Sequence, residues 1–294
     1  MLLITKDTKQ EEISAFKDKG GDNTVLSIPK MMDDAKIYIR GTGNILVCED
    51  GVTLSGIIDF KGNDSVVYLS KNRYTYKLDL IMWGGSTCYI GKNNYFNRRL
   101  AAVISERRSF IVGDDCLFSR EVWVRTADPH LMYDIETSRR LNPSKDVLVG
   151  DHVWIGQRTM LLKGSRMGSG SVLAAGAIAS GKAYSSNAVY GGIPAKKISS
   201  DIFFTSDSVH AYSVEQTDAS QVYSGKRSWK YSPSNDSISR IDELLGSLQN
   251  KSVEERLSII ESIRDDKNHN RFAIGEKSSP GKKSGWLRKL LAKA

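Results

Sequence analysis

Apolar residues in the middle of the chain recur every six positions, and a small or β-branched residue stands four places after each of them. The apolar positions are Val149, Ile155, Leu161, Met167, Leu173 and Ala179, and the small ones are Val153, Thr159, Ser165, Ser171, Ala177 and Ala183. A helix repeats every 3.6 residues and a lone strand every two, so neither explains this period. A solenoid does, because each six-residue step forms one flat side of a coil and the coils stack at roughly 4.8 Å.

The period extends towards the N-terminus and is then interrupted. Its earlier members are Val112, Phe118 and Val124, with Cys116 and Val122 in the small positions and a further pair at Ile90 and Phe96. Between Val124 and Val149 the chain contains a long excursion, residues 128–146. We predict a protruding loop there, and such loops usually carry function.

The remaining segments complete a domain plan. Residues 37–90 are rich in β-forming residues and are expected to form the first coils, with residues 1–36 as an N-terminal cap of a β-helix domain spanning 1–200. A polar linker is predicted at 201–235. Apolar residues at helical spacing over 237–249, and a capping box formed by Ser252 and Glu255, predict a helical hairpin within 236–294. The expected fold class is mainly β with a C-terminal α-helical extension.

Composition narrows the class of protein and its expected location. The chain has 294 residues, of which 40% are hydrophobic and 26% charged, as in a globular protein. It contains no apolar run long enough for a transmembrane span, and its first residues are too quickly charged for a signal peptide. Cys48, Cys88 and Cys116 are interpreted as small buried side chains, not as a disulfide framework, which favours the cytoplasm.

The net charge of +8 is concentrated at the C-terminus, where residues 277–294 contain six basic side chains and no acidic one. Four residues of this tail define one apolar face of a short helix: Trp286, Leu287, Leu290 and Leu291. Three interpretations stay open: peripheral docking on the inner face of an anionic membrane, a solvated basic end, and retention of an anionic polysaccharide. We expect no nucleic-acid partner.

Five stretches in a fixed order carry a family resemblance. They are IVGDDCLFS at 111–119, RTADPH at 125–130, RLNP at 140–143, VGDHVWIG at 149–156 and GGIPAK at 191–196. Between Ile90 and Ile198 the chain resembles the hexapeptide-repeat, left-handed β-helix acyltransferases, in particular bacterial capsular polysaccharide O-acetyltransferases of the polysialic acid type. The left hand follows from this resemblance alone, since handedness statistics for strand crossovers predict the opposite.

The resemblance assigns catalytic roles. His130, in an Asp-x-His setting, is the expected general base for an acceptor hydroxyl, because histidine titrates near neutral pH. Asp128 either accepts a hydrogen bond from the imidazole or caps the turn. Trp154 carries a donor-only indole N–H that would hold a carbonyl oxygen or position the acetyl group; the alternative is packing between coils. His152 is a rival base for which a structural or substrate-facing role is favoured.

The resemblance also assigns binding residues. Acetyl-CoA, the expected acetyl donor, would lie along the last coils, and its predicted contacts are Trp154, Gly176, Ala177, Lys182, Pro194 and Lys197. The predicted acceptor contacts are Arg125, Tyr133, Asn142 and His152. No metal is expected: carbonic anhydrases of this fold use three histidine ligands, whereas only His130 and His152 fall within the repeat.

The resulting hypothesis is a homotrimeric O-acetyltransferase that moves acetyl from acetyl-CoA directly to a sugar hydroxyl of a bacterial surface polysaccharide, with each site between two subunits. Two alternatives remain: a small-molecule acetyltransferase acting on an amino sugar, serine or an antibiotic, and a non-catalytic β-helix binding module. The sequence contains neither a P-loop nor a Rossmann fingerprint, which disfavours a nucleotide hydrolase or a dehydrogenase.

Overall fold

A computed structural model describes residues 1–9, 11–13 and 22–275, which fold around a parallel β-helix with three sheets. The strands of face 1 are Leu2–Ile4, Lys30–Met31, Lys36–Ile39, Thr53–Phe60, Tyr76–Met82, Leu100–Ile104, Trp123–Arg125, Met160–Leu161 and Ile178–Ala179. Those of face 2 are Thr24–Val25, Ile45–Cys48, Val66–Leu69, Thr87–Ile90, Ser109–Val112, Val147–Val149, Arg166–Met167 and Ala183–Tyr184. Those of face 3 are Tyr95–Phe96, Leu117–Phe118, Trp154–Ile155, Val172–Leu173, Ala188–Gly191 and Lys196–Ser200. The predicted mainly β solenoid is confirmed.

The six-residue repeat identifies the core correctly, with one exception. Every predicted large position from Val149 to Ala179 is fully buried. Ala183 is different, because the spacing shortens by one residue after Ala179 and Tyr184 takes the inward place. The ring of Tyr184 packs edge-to-face on Tyr190 at 5.0 Å, so two aromatic rings fill the end of the core. Ala183 instead packs against the helices outside the coil.

Antiparallel strands lie at both ends of the solenoid. Leu2–Ile4 pairs with Lys36–Ile39 on face 1, and Lys196–Ser200 pairs with Ala188–Gly191 on face 3. The coils between them stack through parallel pairs, such as Val149 beside Met167. The two reversed strands end the parallel stacking at each end, and an exposed sheet edge would otherwise offer unpaired backbone groups to another chain.

Helices follow the solenoid. A 3-10 turn spans Val209–Ala211, and three α-helices follow: α1 (Val214–Ala219), α2 (Ser237–Ser247) and α3 (Val253–Asp265). The predicted capping box starts α3, because the Ser252 hydroxyl accepts from the Glu255 N–H at 3.2 Å and the Glu255 carboxylate accepts from the Ser252 N–H at 2.9 Å. The linker expected at 201–235 therefore contains α1 and the 3-10 turn.

The helical hairpin packs on the outside of face 2. The buried residues at this contact are Ile45, Val47, Val66, Tyr68, Tyr89, Ile111 and Leu148 from the sheet and Ile241, Leu245, Leu248, Ile260 and Ile263 from the helices. Faces 1 and 3 carry exposed aromatic side chains instead, among them Trp123 and Trp154. The hairpin thus covers one of the three faces of the coil.

Two buried arginines fasten the C-terminal extension to the coil. Arg256, which is 2% exposed, donates to the carbonyls of Gly85 at 2.8 Å and Ser86 at 3.2 Å and also to the carbonyl of Asp64. Arg271 binds both carboxylate oxygens of Asp151, at 2.8 and 2.6 Å. Burial of so many hydrogen-bonding groups is favourable only while each keeps its partner.

The basic tail 277–294, with its predicted amphipathic helix, lies outside the described residues. No helix in the described part of the chain is long and apolar enough to cross a membrane. The three cysteines are buried and unpaired, and burial raises the pKa of the Cys48 thiol to about 12.

Replacing Arg256 should destabilise the docked hairpin. Arg256→Leu leaves buried carbonyls of the coil without a donor, and we expect a loss of roughly 3 kcal/mol in the free energy of unfolding. Urea denaturation measures it. Arg240→Leu is the matched control, because Arg240 is exposed and its side chain contacts two exposed groups, the Asp236 carboxylate and the Ser234 hydroxyl; it should change stability by less than about 0.5 kcal/mol. Equal effects of the two changes would contradict the anchoring role.

Candidate active site

The long loop leaves the coil between the face 1 strand Trp123–Arg125 and the face 2 strand Val147–Val149. We call this edge the 1/2 corner. Glu106 occupies the same corner in the preceding coil and Lys163 in the following one. The loop is therefore flanked by a carboxylate on one side and an ammonium group on the other.

Asn142 organises the loop from within. Its side chain is buried, and its amide N–H groups donate to the His130 carbonyl at 2.7 Å and to the Asp128 carboxylate at 3.2 Å. Its amide oxygen accepts from the Met132 N–H at 2.9 Å. Both ends of the amide are thus used inside the loop, so Asn142 shapes the loop, and its predicted role as an acceptor contact does not fit this geometry.

Two ion pairs attach the loop to the neighbouring coils. The Asp128 carboxylate binds the Lys163 ammonium group, which lowers the pKa of Asp128. Arg140 binds both oxygens of Glu106, at 2.7 and 2.9 Å, and with a hydrogen bond from Ser144 this lowers the pKa of Glu106 to about 2. Asp128 therefore contacts Lys163 and Asn142 and not the imidazole of His130.

His130 lies exposed on this anchored loop. Its carbonyl is held by Asn142, while its ring makes no hydrogen bond or ion pair within the described ranges. Tyr133 is also exposed, and its backbone bridges to Arg140. Arg125, at the end of its strand, places its guanidinium 6.0 Å from the Trp123 ring centre and, with Asp128, lines a cavity of about 380 Å³. The structure thus brings His130, Asp128, Tyr133, Asn142 and Arg125 together at the 1/2 corner.

Trp154 lies on a different face of the coil. It is 42% exposed on face 3 and lines an apolar cavity of about 540 Å³. The cavity is formed by Trp154, Val172, Leu173, Val189, Ile202, Phe203 and Phe204, with Ser119, Gly156, Gln157, Ala174 and Ala175 along one edge. That edge is the 3/1 corner, where the chain turns from face 3 to face 1.

Most of the predicted donor-binding residues lie at or beside the 3/1 corner, near the end of the solenoid. Lys182 instead precedes the face 2 strand Ala183–Tyr184, at the 1/2 corner. Gly176 is exposed with φ +71°, and space for a ligand remains in front of its Cα. Ala177 is buried in the core with its N–H bonded to the Ala174 carbonyl, so its side chain cannot contact a cofactor. The Lys182 ammonium group donates to the Ala195 carbonyl at 2.9 Å, and the Ala195 N–H in turn bonds to Ile178. Pro194 is exposed beside them, and Lys197 is on the last strand, Lys196–Ser200.

His152 is enclosed at the corner between faces 2 and 3. Its ring is stacked between Phe204 and Trp229, with ring centres 4.0 Å away on each side, and its Nε2 lies 2.9 Å from the Phe204 carbonyl oxygen. Burial lowers the pKa of His152. The ring is unable to approach an acceptor without leaving the stack, so a structural role fits better than that of a base or an acceptor contact.

Sequence reasoning missed Phe204 and Trp229. Both belong to the segment interpreted as a polar linker, where the aromatic residues at 203, 204, 212, 223, 229 and 231 are the one available signal. An aromatic residue in a polar segment indicates that the segment packs on something, but the sequence does not indicate what.

The predicted catalytic groups are separated within one chain. His130 is at the 1/2 corner and Trp154 is beside the 3/1 corner, so the whole width of face 1 lies between them. One side of a coil contains about six residues, and six residues of extended chain span about 20 Å, which sets the width of the face between the two groups. No group of three or more metal-binding side chains is present in the described part of the chain.

No family model matches the chain. It is similar to a polysialic acid O-acetyltransferase of Neisseria meningitidis, at 25% identity over 154 residues that cover 51% of this chain and 70% of the relative. It is also similar to a polysialic acid O-acetyltransferase of Escherichia coli O1:K1, at 30% identity over 88 residues that cover 30% of this chain and 28% of that relative. The solved structure of the polySia-specific acetyltransferase NeuO superimposes with a TM-score of 0.58 at 24% identity, covering 68% of this chain and 94% of NeuO.

The fold is that of the left-handed β-helix acetyltransferases, and the similarity to named O-acetyltransferases supports an acyltransferase. The left hand expected from the family resemblance is thereby confirmed. Within this class the similarity is to the polysialic acid O-acetyltransferases, as the motifs indicated.

The pairing of Glu106 with Arg140 has a measurable electrostatic signature. In Arg140→Met the pKa of Glu106 should rise from about 2 towards its usual 4.5. Because the folded-state pKa lies below the unfolded one, the pairing stabilises the loop above pH 4.5, and this stabilisation is lost as the pH falls towards 2. A carboxyl NMR titration measures the shift. Arg139→Met, which removes an exposed neighbouring charge, should leave the Glu106 pKa nearly unchanged; equal shifts would contradict the pairing.

Proposed function

We propose that this protein transfers an acetyl group from acetyl-CoA to a sugar hydroxyl of a bacterial surface polysaccharide. The names of its two relatives support the polysaccharide acceptor. The exposed imidazole of His130 and the open apolar cavity beside Trp154 supply places for an acceptor and a thioester. Three buried, unpaired cysteines and the use of acetyl-CoA favour a cytoplasmic location, and peripheral membrane contact through the basic tail belongs to the same proposal.

In the proposed reaction His130 takes the proton of the acceptor hydroxyl while the hydroxyl oxygen attacks the thioester carbonyl. The new C–O bond forms, the C–S bond breaks, and the proton passes from His130 to the departing CoA thiolate. The charge that develops on the carbonyl oxygen is stabilised by a donor such as the Trp154 indole N–H or a backbone N–H, an effect typically worth about 3–4 kcal/mol per donor. No residue of the protein is acylated.

The observation that carries this proposal is the position of His130 and Trp154 on different edges of one chain. A substrate touching both groups must then lie between two subunits, with the loop of one beside face 3 of the next. Face 2 is covered by the helical hairpin, whereas faces 1 and 3 keep exposed aromatic side chains for such an association. A cyclic homotrimer with three equivalent sites satisfies these requirements.

A small-molecule acetyltransferase is the second candidate, and it is separated from the first by its acceptors. A thioester-cleavage assay compares capsular oligosaccharides, amino sugars, serine and aminoglycosides at equal concentration. Preference for the oligosaccharides supports the proposal, and preference for one of the small molecules favours the alternative. No turnover with any acceptor, despite acetyl-CoA binding, favours a non-catalytic binding module.

The assignment of the base is tested by two histidine variants. His130→Ala should reduce kcat by about 10²- to 10⁴-fold, the usual cost of removing a general base, while the affinity for CoA is retained. His152→Ala should keep kcat within about tenfold of the wild type, because its ring is enclosed by Phe204 and Trp229. Steady-state kinetics and calorimetric CoA titration provide the readouts. The reverse pattern would show that the base is wrongly assigned.

Shared sites are tested by mixing two inactive variants. His130→Ala and Trp154→Ala proteins, unfolded together and refolded as mixed oligomers, should regain activity, because some sites then combine an intact loop with an intact Trp154. In an equal mixture about half of the loops and about half of the Trp154 positions are intact, so random assortment restores about a quarter of the sites. Mixing without subunit exchange is the control and should restore nothing. Failure of mixed oligomers to regain activity would mean that each site lies within one chain.

A further inference from the structure

The apolar cavity beside Trp154 is formed by two distant parts of the sequence. One wall is solenoid, with Val172 and Val189 above Trp154, and the other is Ile202–Phe204 from the segment that follows the last strand. We call residues 201–231 the C-terminal arm. NeuO is covered over 94% of its length by only 68% of this chain, so about a third of this chain has no counterpart there.

The arm is held firmly on the coil. The Asn187 side chain donates to the carbonyls of both Ile202 and Trp229, at 2.8 Å each, and its oxygen accepts from the Tyr231 N–H at 2.8 Å. One amide therefore fastens the two ends of the arm to a corner of the solenoid. Arg227 adds an ion pair with Asp115 at 3.0 Å.

His152 fixes the part of the arm that faces Trp154. Its ring lies parallel to that of Phe204, at an angle of 5° and a centre separation of 4.0 Å, and its Nε2 is 2.9 Å from the Phe204 carbonyl oxygen. Phe204 is thereby held with its ring centre 5.9 Å from that of Trp154, at an angle of 51°. Aromatic rings at this separation are in contact, which leaves no room for an alkyl chain between them.

We propose that Phe204 limits the length of the acyl group that the enzyme transfers, by closing the cavity beside Trp154, and that His152 positions it. This inference rests on the proposed function, in which the thioester carbonyl lies at Trp154. The volume of the cavity, about 540 Å³, is within the range of small-molecule sites, and its lining is almost entirely apolar. Its occupant is the acyl end and adjoining pantetheine of an acyl-CoA, which is the part of the donor that is uncharged.

A change of acyl preference tests this role. Phe204→Ala opens the closed end, so the ratio of kcat/KM for butyryl-CoA to that for acetyl-CoA should rise by about tenfold or more, the usual effect of fitting extra methylenes into an apolar pocket. A loss of stability alone lowers both values together and does not produce this gain. Phe204→Leu, which keeps an apolar side chain against His152, should shift the ratio in the same direction by less, and it replaces the alanine variant if that one fails to fold.

The matched control is Tyr223→Ala. Tyr223 is an exposed aromatic residue of the same arm that does not line the Trp154 cavity. It packs on Phe203 and accepts a hydrogen bond from the Trp229 indole N–H at 3.0 Å, so its removal disturbs the arm without opening the cavity beside Phe204. This variant should retain the acyl preference of the wild type. An unchanged ratio in a folded Phe204 variant, or an equal shift in Tyr223→Ala, would overturn the inference.

The outcome for the wild type separates this inference from the proposed function. If the wild type transfers acetyl and the Phe204 variants keep its preference, only the role of Phe204 is refuted. If the wild type transfers no acyl group to any acceptor, the proposed function fails. Calorimetric titration with acetyl-CoA and butyryl-CoA then still measures how well each acyl group fits the cavity. Tighter butyryl-CoA binding by Phe204→Ala than by the wild type supports the closed end, and equal affinities refute it.

Discussion

The stacking of coils at strand spacing is the constraint on which the other features of this protein depend. Each coil must place its inward side chains directly above those of the previous coil, because the parallel backbone pairs fix the register. Added residues can therefore leave the coil only where the chain turns between faces. The long loop does so at the 1/2 corner, and its anchors, Glu106 and Lys163, are corner residues of the adjacent coils.

A second consequence concerns the outer surface. A three-sided coil has three outward faces, and this chain covers face 2 with its own helices. The cover is fixed by polar contacts as well as by apolar burial, since Arg256 binds backbone carbonyls of two successive corners and Arg271 binds Asp151 next to His152. The extension thus reaches the turn that precedes Trp154, and the C-terminal arm, which joins the coil to the helices, places Phe204 beyond that turn. The coil, the arm and the helices are therefore in contact around the candidate site and are not independent modules.

Much of the fold was predictable because the repeat is local. One large inward residue every six positions identified the core from Val112 to Ala179, and the break in that spacing identified the loop. The slip at Ala183 was not predictable, since an alanine satisfies the small position and the aromatic fit of Tyr184 on Tyr190 depends on three-dimensional packing. The enclosure of His152 was equally hidden, because its partner Phe204 lies 52 residues further along the chain.

The candidate site shows the same division between local and distant contacts. The motifs identified His130 and Trp154, but they contained no signal that Asn142 would hold the backbone of His130 or that Asp128 would bind Lys163. These contacts fix the path of the loop and leave the imidazole of His130 without a partner in the described part of the chain. In most histidine bases a second group orients the ring and selects its tautomer. Residues 1–9, 11–13 and 22–275 provide no such group, so a base at His130, as proposed, needs the acceptor or a neighbouring subunit to orient its ring. This is a physical argument for the proposed site between two subunits.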